Sequence, residues 1–252
     1  IDKAGSPMWT SNGFPVSTVG TQAQNPTITD DARGGAIIAW EDLRNGNSDI
    51  YIQNIDNGGV TVWTANGVAV CTVTNDQVKP TIMSDTLGGA YIAWQDSRFG
   101  NNDIYAQYID GNGLNLWSSG GIALCTASLS QINPLSAGIN LPNFTWTDSR
   151  NGVSDIYAQS ADALGNTSMG LDGAPICTAV DIQQSPSIAS DGVGGAIITW
   201  TDRRNGTDFD IYVQRVDNTG VTLWTADGVA VCTVANDQLN PQIVSDGASG
   251  AI

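Results

Sequence analysis

The sequence predicts an all-β protein, a β-propeller of four-stranded blades about 54 residues long, with five blades. Three observations lead there. First, Gly34-Gly35-Ala36-Ile37-Ile38-Ala39-Trp40-Glu41-Asp42-Leu43-Arg44-Asn45-Gly46, followed by Asp49-Ile50-Tyr51, recurs around Trp94, Trp146 and Trp200. Second, a short segment opened by proline recurs at Pro26, Pro80, Pro134, Pro186 and Pro241, at intervals of 54, 54, 52 and 55 residues, near the blade lengths of propellers. Third, apolar residues show no helical period of useful length.

Each complete unit reads as four strands in order. Strand a is the Pro-x-Ile-x-Ser-Asp segment, such as 80–85, with proline expected as the strand's first residue. Strand b is Gly-Gly-Ala-Ile-Ile-Ala-Trp; its apolar residues fall on both faces, so each unit is expected to be covered by neighbours on both sides. Strand c starts at Asp49, Asp103, Asp155 and Asp210. Strand d runs from Trp63 through Gly67-Val68-Ala69-Val70-Cys71 and its copies. Between b and c, Asn45-Gly46, Asn151-Gly152 and Asn205-Gly206 read as two-residue hairpin turns with positive φ at both positions, while Phe99-Gly100 keeps only the glycine.

The third unit departs from the pattern. It has Ser136-Ala137-Gly138-Ile139-Asn140 in place of a Ser-Asp-Gly turn, Pro142 at strand b, and Met169 where the others carry a tryptophan. If one blade bears a specialised surface, this one is the candidate. The domain expectation is a single propeller over 1–252, with four complete blades and a partial fifth from residues 1–18 and 241–252, closed by both termini. A piece of a longer chain is the alternative.

Net charge is -16, and of the 25 acidic residues only Glu41 is glutamate. Such a surface repels nucleic acid and anionic lipid, and no run of apolar residues is long enough for a membrane helix. Cys71, Cys125, Cys177 and Cys232 recur one per unit at the same phase. Equivalent positions in separate units are too far apart for disulfides, so these are expected to be small buried residues. There is no histidine, which removes Ser-His-Asp and Cys-His arrangements.

The Asp-x-Arg turns give the binding candidates: Asp42, Arg44, Asp96, Arg98, Asp148, Arg150, Asp202 and Arg204. An Asp42-Arg44-Asp49 cluster fixing the hairpin is one reading. A polar ring at the channel mouth, able to hold a sugar or a cation, is the other. The Asp-x-x-Gly turns at Asp56, Asp110 and Asp217 read as structural. No cofactor is expected; Ca²⁺ held by aspartate turns is an open alternative, although no EF-hand-like run occurs.

Ser190-Asp191-Gly192, Trp200-Thr201-Asp202-Arg203-Arg204-Asn205-Gly206 and Asp210-Ile211-Tyr212 resemble the TolB-like (PD40-type) propeller repeats, and still more the repeats of large secreted surface proteins of gliding and related bacteria. That resemblance implies a non-catalytic extracellular interaction, adhesion or scaffold module, secreted or on the cell surface, with a protein or glycan as partner. A lectin-like propeller is the alternative, and a glycoside-acting hydrolase is the third choice.

Overall fold

A computed structural model describes residues 4–7, 9–10, 12–19, 22–139 and 141–252. The described residues form sixteen strands and no helix. The first unit contains β1 (Ala23–Asp30), β2 (Ala36–Asp42), β3 (Asp49–Ile55) and β4 (Val68–Cys71). The second contains β5 (Gln77–Ser84), β6 (Ala90–Asp96), β7 (Asp103–Ile109) and β8 (Ile122–Cys125). The third has β9 (Gln131–Ala137), β10 (Asn143–Asp148), β11 (Asp155–Ser160) and β12 (Ala174–Cys177). The fourth has β13 (Gln183–Ser190), β14 (Ala196–Asp202), β15 (Asp210–Val216) and β16 (Val229–Cys232).

Each unit is one antiparallel sheet with its strands side by side in chain order. The first strands of successive sheets face one another, β1 to β5, β5 to β9 and β9 to β13. They therefore line the axis and the sheets radiate from it as blades. β6, β10 and β14 are buried at every residue, as their two apolar faces require. The core lies between blades: Ile37, Ile52 and Trp63 pack with Ile92 and Trp94 across the first interface, Tyr91 and Trp117 with Phe144 and Trp146 across the second, and Ile156 and Met169 with Ile198 and Trp200 across the third.

Four complete sheets are observed. Residues 241–252 form only a bridge between Ser245 and Ala251, and the described part of 4–19 forms no strand. Ile1, Asp2, Lys3, Met8 and Ser11 of the expected partial blade, and Asn140 of the third unit, lie outside the described residues.

The aspartate excess is explained locally. Asp31, Asp56, Asp85, Asp110, Asp162, Asp191, Asp217 and Asp246 each accept the backbone N–H groups two and four residues ahead, closing the a-to-b and c-to-d turns. Short carboxylate side chains make such turns readily.

Three local expectations are corrected. The b-to-c connection is not a two-residue turn: β2 and β3 last pair at Asp42 and Asp49, Gly46 N–H donates to the Leu43 carbonyl at 3.1 Å, and only Gly46 takes positive φ. The Asn45 amide instead reaches Asp49 Oδ2 at 2.7 Å, which fixes the longer loop. Pro142 trims β10 by one residue rather than breaking it, and its carbonyl accepts the Ser160 hydroxyl. Strand a begins three residues before its proline, at Ala23, Gln77, Gln131 and Gln183.

That third difference has a physical cause with consequences at the axis. Proline has no N–H for the ladder, so each first strand bulges there, with register shifts at Gln24/Thr27, Val78/Thr81, Ile132/Leu135 and Gln184/Ser187. The residue before each proline is forced to positive φ: Asn25 at 48°, Lys79 at 56°, Asn133 at 55° and Ser185 at 51°. For an L-residue this conformation costs about 1–2 kcal/mol, and a following proline disfavours it further.

Because strain at these positions is backbone strain, Ser185→Gly is expected to leave stability unchanged or higher. Ser185→Val, branched at Cβ, is expected to be about 2 kcal/mol less stable than the glycine variant in urea denaturation. Equal stability of the two variants would remove the strain argument.

Candidate functional site

The eight residues expected at the channel mouth are brought together two by two, and each pair is used inside the fold. Asp42, Asp96, Asp148 and Asp202 are buried at the ends of β2, β6, β10 and β14. Each accepts the indole N–H of the tryptophan two residues earlier at 2.8–2.9 Å. Each also receives a two-pronged bond from the arginine two residues later, Nε to Oδ1 at 2.8–2.9 Å and Nη2 to Oδ2 at 2.5–2.6 Å. Arg44, Arg98, Arg150 and Arg204 lie 3.7–3.9 Å over the rings of Tyr51, Tyr105, Tyr157 and Tyr212.

The same guanidinium groups reach across the blade interface. Nη2 of Arg98, Arg150 and Arg204 contacts Sγ of Cys71, Cys125 and Cys177 in the preceding unit, and Arg44 contacts Ser17 Oγ instead. The cysteines are free thiols. Burial pushes the Cys71 thiol up to about 11 and Cys125 and Cys177 to about 12. They remain protonated near neutrality and are poor nucleophiles.

Asp49 does not join the expected cluster with Asp42 and Arg44; its carboxylate accepts from Asn45 and Asn47. The two aspartates respond oppositely to their surroundings. Burial alone would raise Asp148 and Asp202, but hydrogen bonds from the adjacent arginine and tryptophan outweigh it and hold both below the usual carboxylate range. Asp103 has one amide donor, Asn101 at 2.8 Å. Burial, with the nearby Asp96 charge, pushes it up to about 6. Among the described residues no group of three or more His, Cys, Asp or Glu is placed to hold a metal ion.

The open site lies on the axis. A pit of about 480 Å³ is lined by residues 25–27, 79–81, 133–135 and 185–186, so all four blades contribute. The strained residues Asn25, Lys79, Asn133 and Ser185 are exposed there, and backbone strain of this kind is a mark of functional sites. Lys79 forms no ion pair among the described residues. Pro26 and Pro80 supply apolar ring surface beside the polar groups, while Pro134 and Pro186 are buried beneath the lining.

Glu41 stands behind this wall, 1% exposed. Its Oε1 accepts the Asn25 amide at 2.9 Å and the Lys79 backbone N–H at 2.8 Å, and its Oε2 accepts Gln24 at 3.0 Å. Gln95 makes the equivalent bond to Asn133 N–H at 2.8 Å. The third and fourth blades carry Thr147 and Thr201 there, too short to reach, and both hydroxyls are buried without a partner. Sequence reasoning overlooked these residues, although the signal was present. The position before each proline varies where the flanking pattern repeats, and Glu41 is the one glutamate.

No family model matches the chain and no curated protein matches it. Among solved structures it is similar to an α-L-arabinanase of Penicillium chrysogenum complexed with arabinobiose, at 14% identity and TM-score 0.56, covering 92% of this chain and 73% of the other. It is similar also to the GH93 α-L-arabinofuranosidase of Fusarium graminearum in complex with arabinobiose, at 12% identity and TM-score 0.56, covering 92% and 74%. At these identities the likeness shows the fold, and two earlier expectations are corrected by it. The resemblance to TolB-like repeats gives way to glycoside hydrolase propellers. Its motifs, Trp-x-Asp-x-Arg and Ser-Asp-Gly, encode blade fastening and turn closure. With that resemblance falls the expectation of a non-catalytic interaction, adhesion or scaffold module that is not an enzyme, since the structures sharing this fold are named as enzymes acting on glycosides.

Removing one partner of a buried ion pair strands the other charge. Arg98→Ala is therefore expected to lose about 3 kcal/mol in chemical denaturation, and Arg98→Lys to recover only part of it, because an ammonium cannot make the two-pronged bond. A second expectation concerns pH. The folded state holds the Asp103 proton to about 6 and the unfolded chain releases it near 3.9, so this group's contribution is favourable at low pH and is lost as pH rises through that window. Asp103→Asn is then more stabilising, relative to the parent, at pH 7.5 than at pH 3.5, by roughly 1 kcal/mol after solvent screening. A pH-independent difference between the two would contradict this.

Proposed function

We propose that the chain is a glycoside-acting propeller that takes a saccharide in the axial pit. The observation carrying this reading is the pit itself: four strained residues, one from each blade, present Asn, Lys, Asn and Ser to one concave site. Amide, ammonium and hydroxyl groups match the alternating donors and acceptors of a sugar ring, and Pro26 and Pro80 offer apolar surface to its C–H face. The similarity to propellers solved with arabinobiose supports a short saccharide of this kind. A polymeric glycan also fits the secreted or cell-surface location suggested by the sequence.

Hydrolysis of a glycoside breaks the bond to the leaving oxygen, which takes a proton from an acid, while water adds at the anomeric carbon and gives up a proton to a base. Glu41 is the carboxylate bonded directly to pit residues, through Asn25 and the Lys79 backbone, and we assign it the proton-handling role. The assignment requires Asn25 to swing aside when substrate enters, since its amide lies between Glu41 and the pit.

The test is release of reducing sugar from a panel of arabinans and other neutral glycans, with binding of arabinobiose followed by calorimetry. Glu41→Gln is expected to lower kcat at least about 100-fold while binding persists, and Lys79→Ala to weaken binding. Neither binding nor release from any member of the panel would overturn the proposal. Full activity in Glu41→Gln would move the chemistry to another group.

A further inference from the structure

The axial pit differs from the rest of this acidic molecule in the sign of the charge it offers. The chain carries 25 acidic residues and a net charge of -16, yet among the described residues no aspartate or glutamate lines the pit, whereas Lys79 does. Its ammonium is in no ion pair among the described residues. The side chains of Lys79, Asn133 and Ser185 have no hydrogen-bond partner among them either; the bonds at Lys79 and Asn133 are made by the backbone N–H.

The fold does not account for a lysine here. The first and third blades place asparagine at the equivalent position in the same backbone conformation, Asn25 at φ 48° and Asn133 at 55°, against 56° for Lys79. Asparagine enters this region several times more readily than an ordinary side chain, so the backbone alone favours it over lysine. Nothing in the protein takes up the ammonium in return. Lys79 thus costs the fold stability without making a side-chain contact within it, a pattern found at ligand sites.

The root of this side chain is nevertheless fixed. Glu41 Oε1 accepts the Lys79 N–H at 2.8 Å, and Gln95 Oε1 accepts the Asn133 N–H at 2.8 Å. Neighbouring blades therefore hold an ammonium and an amide on anchored backbone, and the fourth blade adds the Ser185 hydroxyl. The carboxylate bonded to this wall is Glu41. It is 1% exposed and its oxygens are occupied by the Gln24 and Asn25 amides and the Lys79 N–H. Glu41 is thus enclosed in the wall, while the Lys79 side chain is exposed. Charges elsewhere on the chain act from farther away, and physiological salt screens them over about 8 Å.

An ammonium flanked by neutral N–H and O–H donors, with no carboxylate facing them, suits a ligand bearing one negative group. A carboxylate or a sulfate ester takes a charge-assisted hydrogen bond from the ammonium, about twice as strong as a neutral one, and its other oxygens can accept from the amide and the hydroxyl. We propose that the pit favours a sugar carrying a single anionic group, a uronate carboxylate or a sulfate ester, over the neutral sugar of the same configuration. Lys79 is the residue that selects the charge. This inference rests on the reading of the pit as a saccharide site and names the class of saccharide it prefers.

The test is calorimetry of residues 1–252 with three matched sets, glucose, galactose and mannose, each against its uronate and its 6-sulfate, with arabinobiose titrated alongside. In at least one set an anionic member is expected to bind about tenfold more tightly than the neutral one. Lys79→Asn, which installs the residue that two other blades carry at this φ, is expected to bring that ratio to about one. Lys79→Arg keeps the charge and is expected to keep the preference. Circular dichroism confirms that both variants fold. Preference for the uronate alone or the sulfate alone identifies the group, and either supports the proposal. Equal binding of neutral and anionic members in every set, or a preference that survives in Lys79→Asn, would overturn it. Binding of arabinobiose with no preference in any set leaves the saccharide reading standing and removes only this one; failure of every sugar, arabinobiose included, removes both.

Discussion

A buried aspartate at the end of the second strand of each blade organises the rest of the molecule. It would be costly to bury alone, and the fold satisfies it from two sides, by an indole N–H two residues before and a guanidinium two residues after. Those bonds set where the strand stops, hold the tryptophan that fills the blade interface, and aim the arginine at the preceding blade. One carboxylate thus joins local turn geometry to packing between units. The local fastener is retained in all four blades, including the third, which has lost so much else. It is also why a ring of Asp and Arg residues near the channel mouth offers little to a ligand. Their hydrogen-bonding capacity is already committed.

The axis is governed by a different constraint. Proline near the start of each inner strand interrupts the ladder, and the bulge that accommodates it turns one strained residue per blade toward the pit. Side chains at these positions are free to vary because the backbone geometry is set by the neighbouring proline. The identity of the clamp behind them varies too, from Glu41 to Gln95 to Thr147 and Thr201. Only the first two reach the next blade, so the strained residues are supported unevenly, Lys79 by a buried carboxylate and Asn133 by a buried amide, while the Thr147 and Thr201 hydroxyls are buried without a partner.

The architecture was legible because it rests on repetition. Four strands per unit, both faces of the second strand buried and small buried thiols all follow from residues that recur at one phase, and periodicity averages out local exceptions. The site was less legible for the same reason. Scanning for what repeats directs attention to Asp42 and Arg44 and their copies, which repeat because the fold needs them. The residues that line the pit do not repeat in identity, and their exposure depends on a bulge that the reading of proline as a strand's first residue had excluded. Asn45-Gly46 misled in a smaller way: a strong two-residue turn signal yielded to the Asn45 amide reaching Asp49, a contact across a longer loop.

The functional reading shifted because the motifs behind the first family resemblance are structural. Trp-x-Asp-x-Arg is conserved from blade to blade within this chain by the energetics of a buried ion pair, so its presence elsewhere says that another chain has the same problem to solve. The absence of histidine argued against nucleophilic triads but carries no weight against carboxylate chemistry, and the single glutamate had been counted as composition when its position was the informative part. What sets Glu41 apart from the fastening carboxylates in this fold is its set of donors. Asp42, Asp96, Asp148 and Asp202 are gripped by a cation, whereas Glu41 is held by neutral amides and one of these, Asn25, belongs to the pit. Glu41 is thus held by two side-chain amides and one backbone N–H, all neutral, whereas the four aspartates are each locked to a guanidinium.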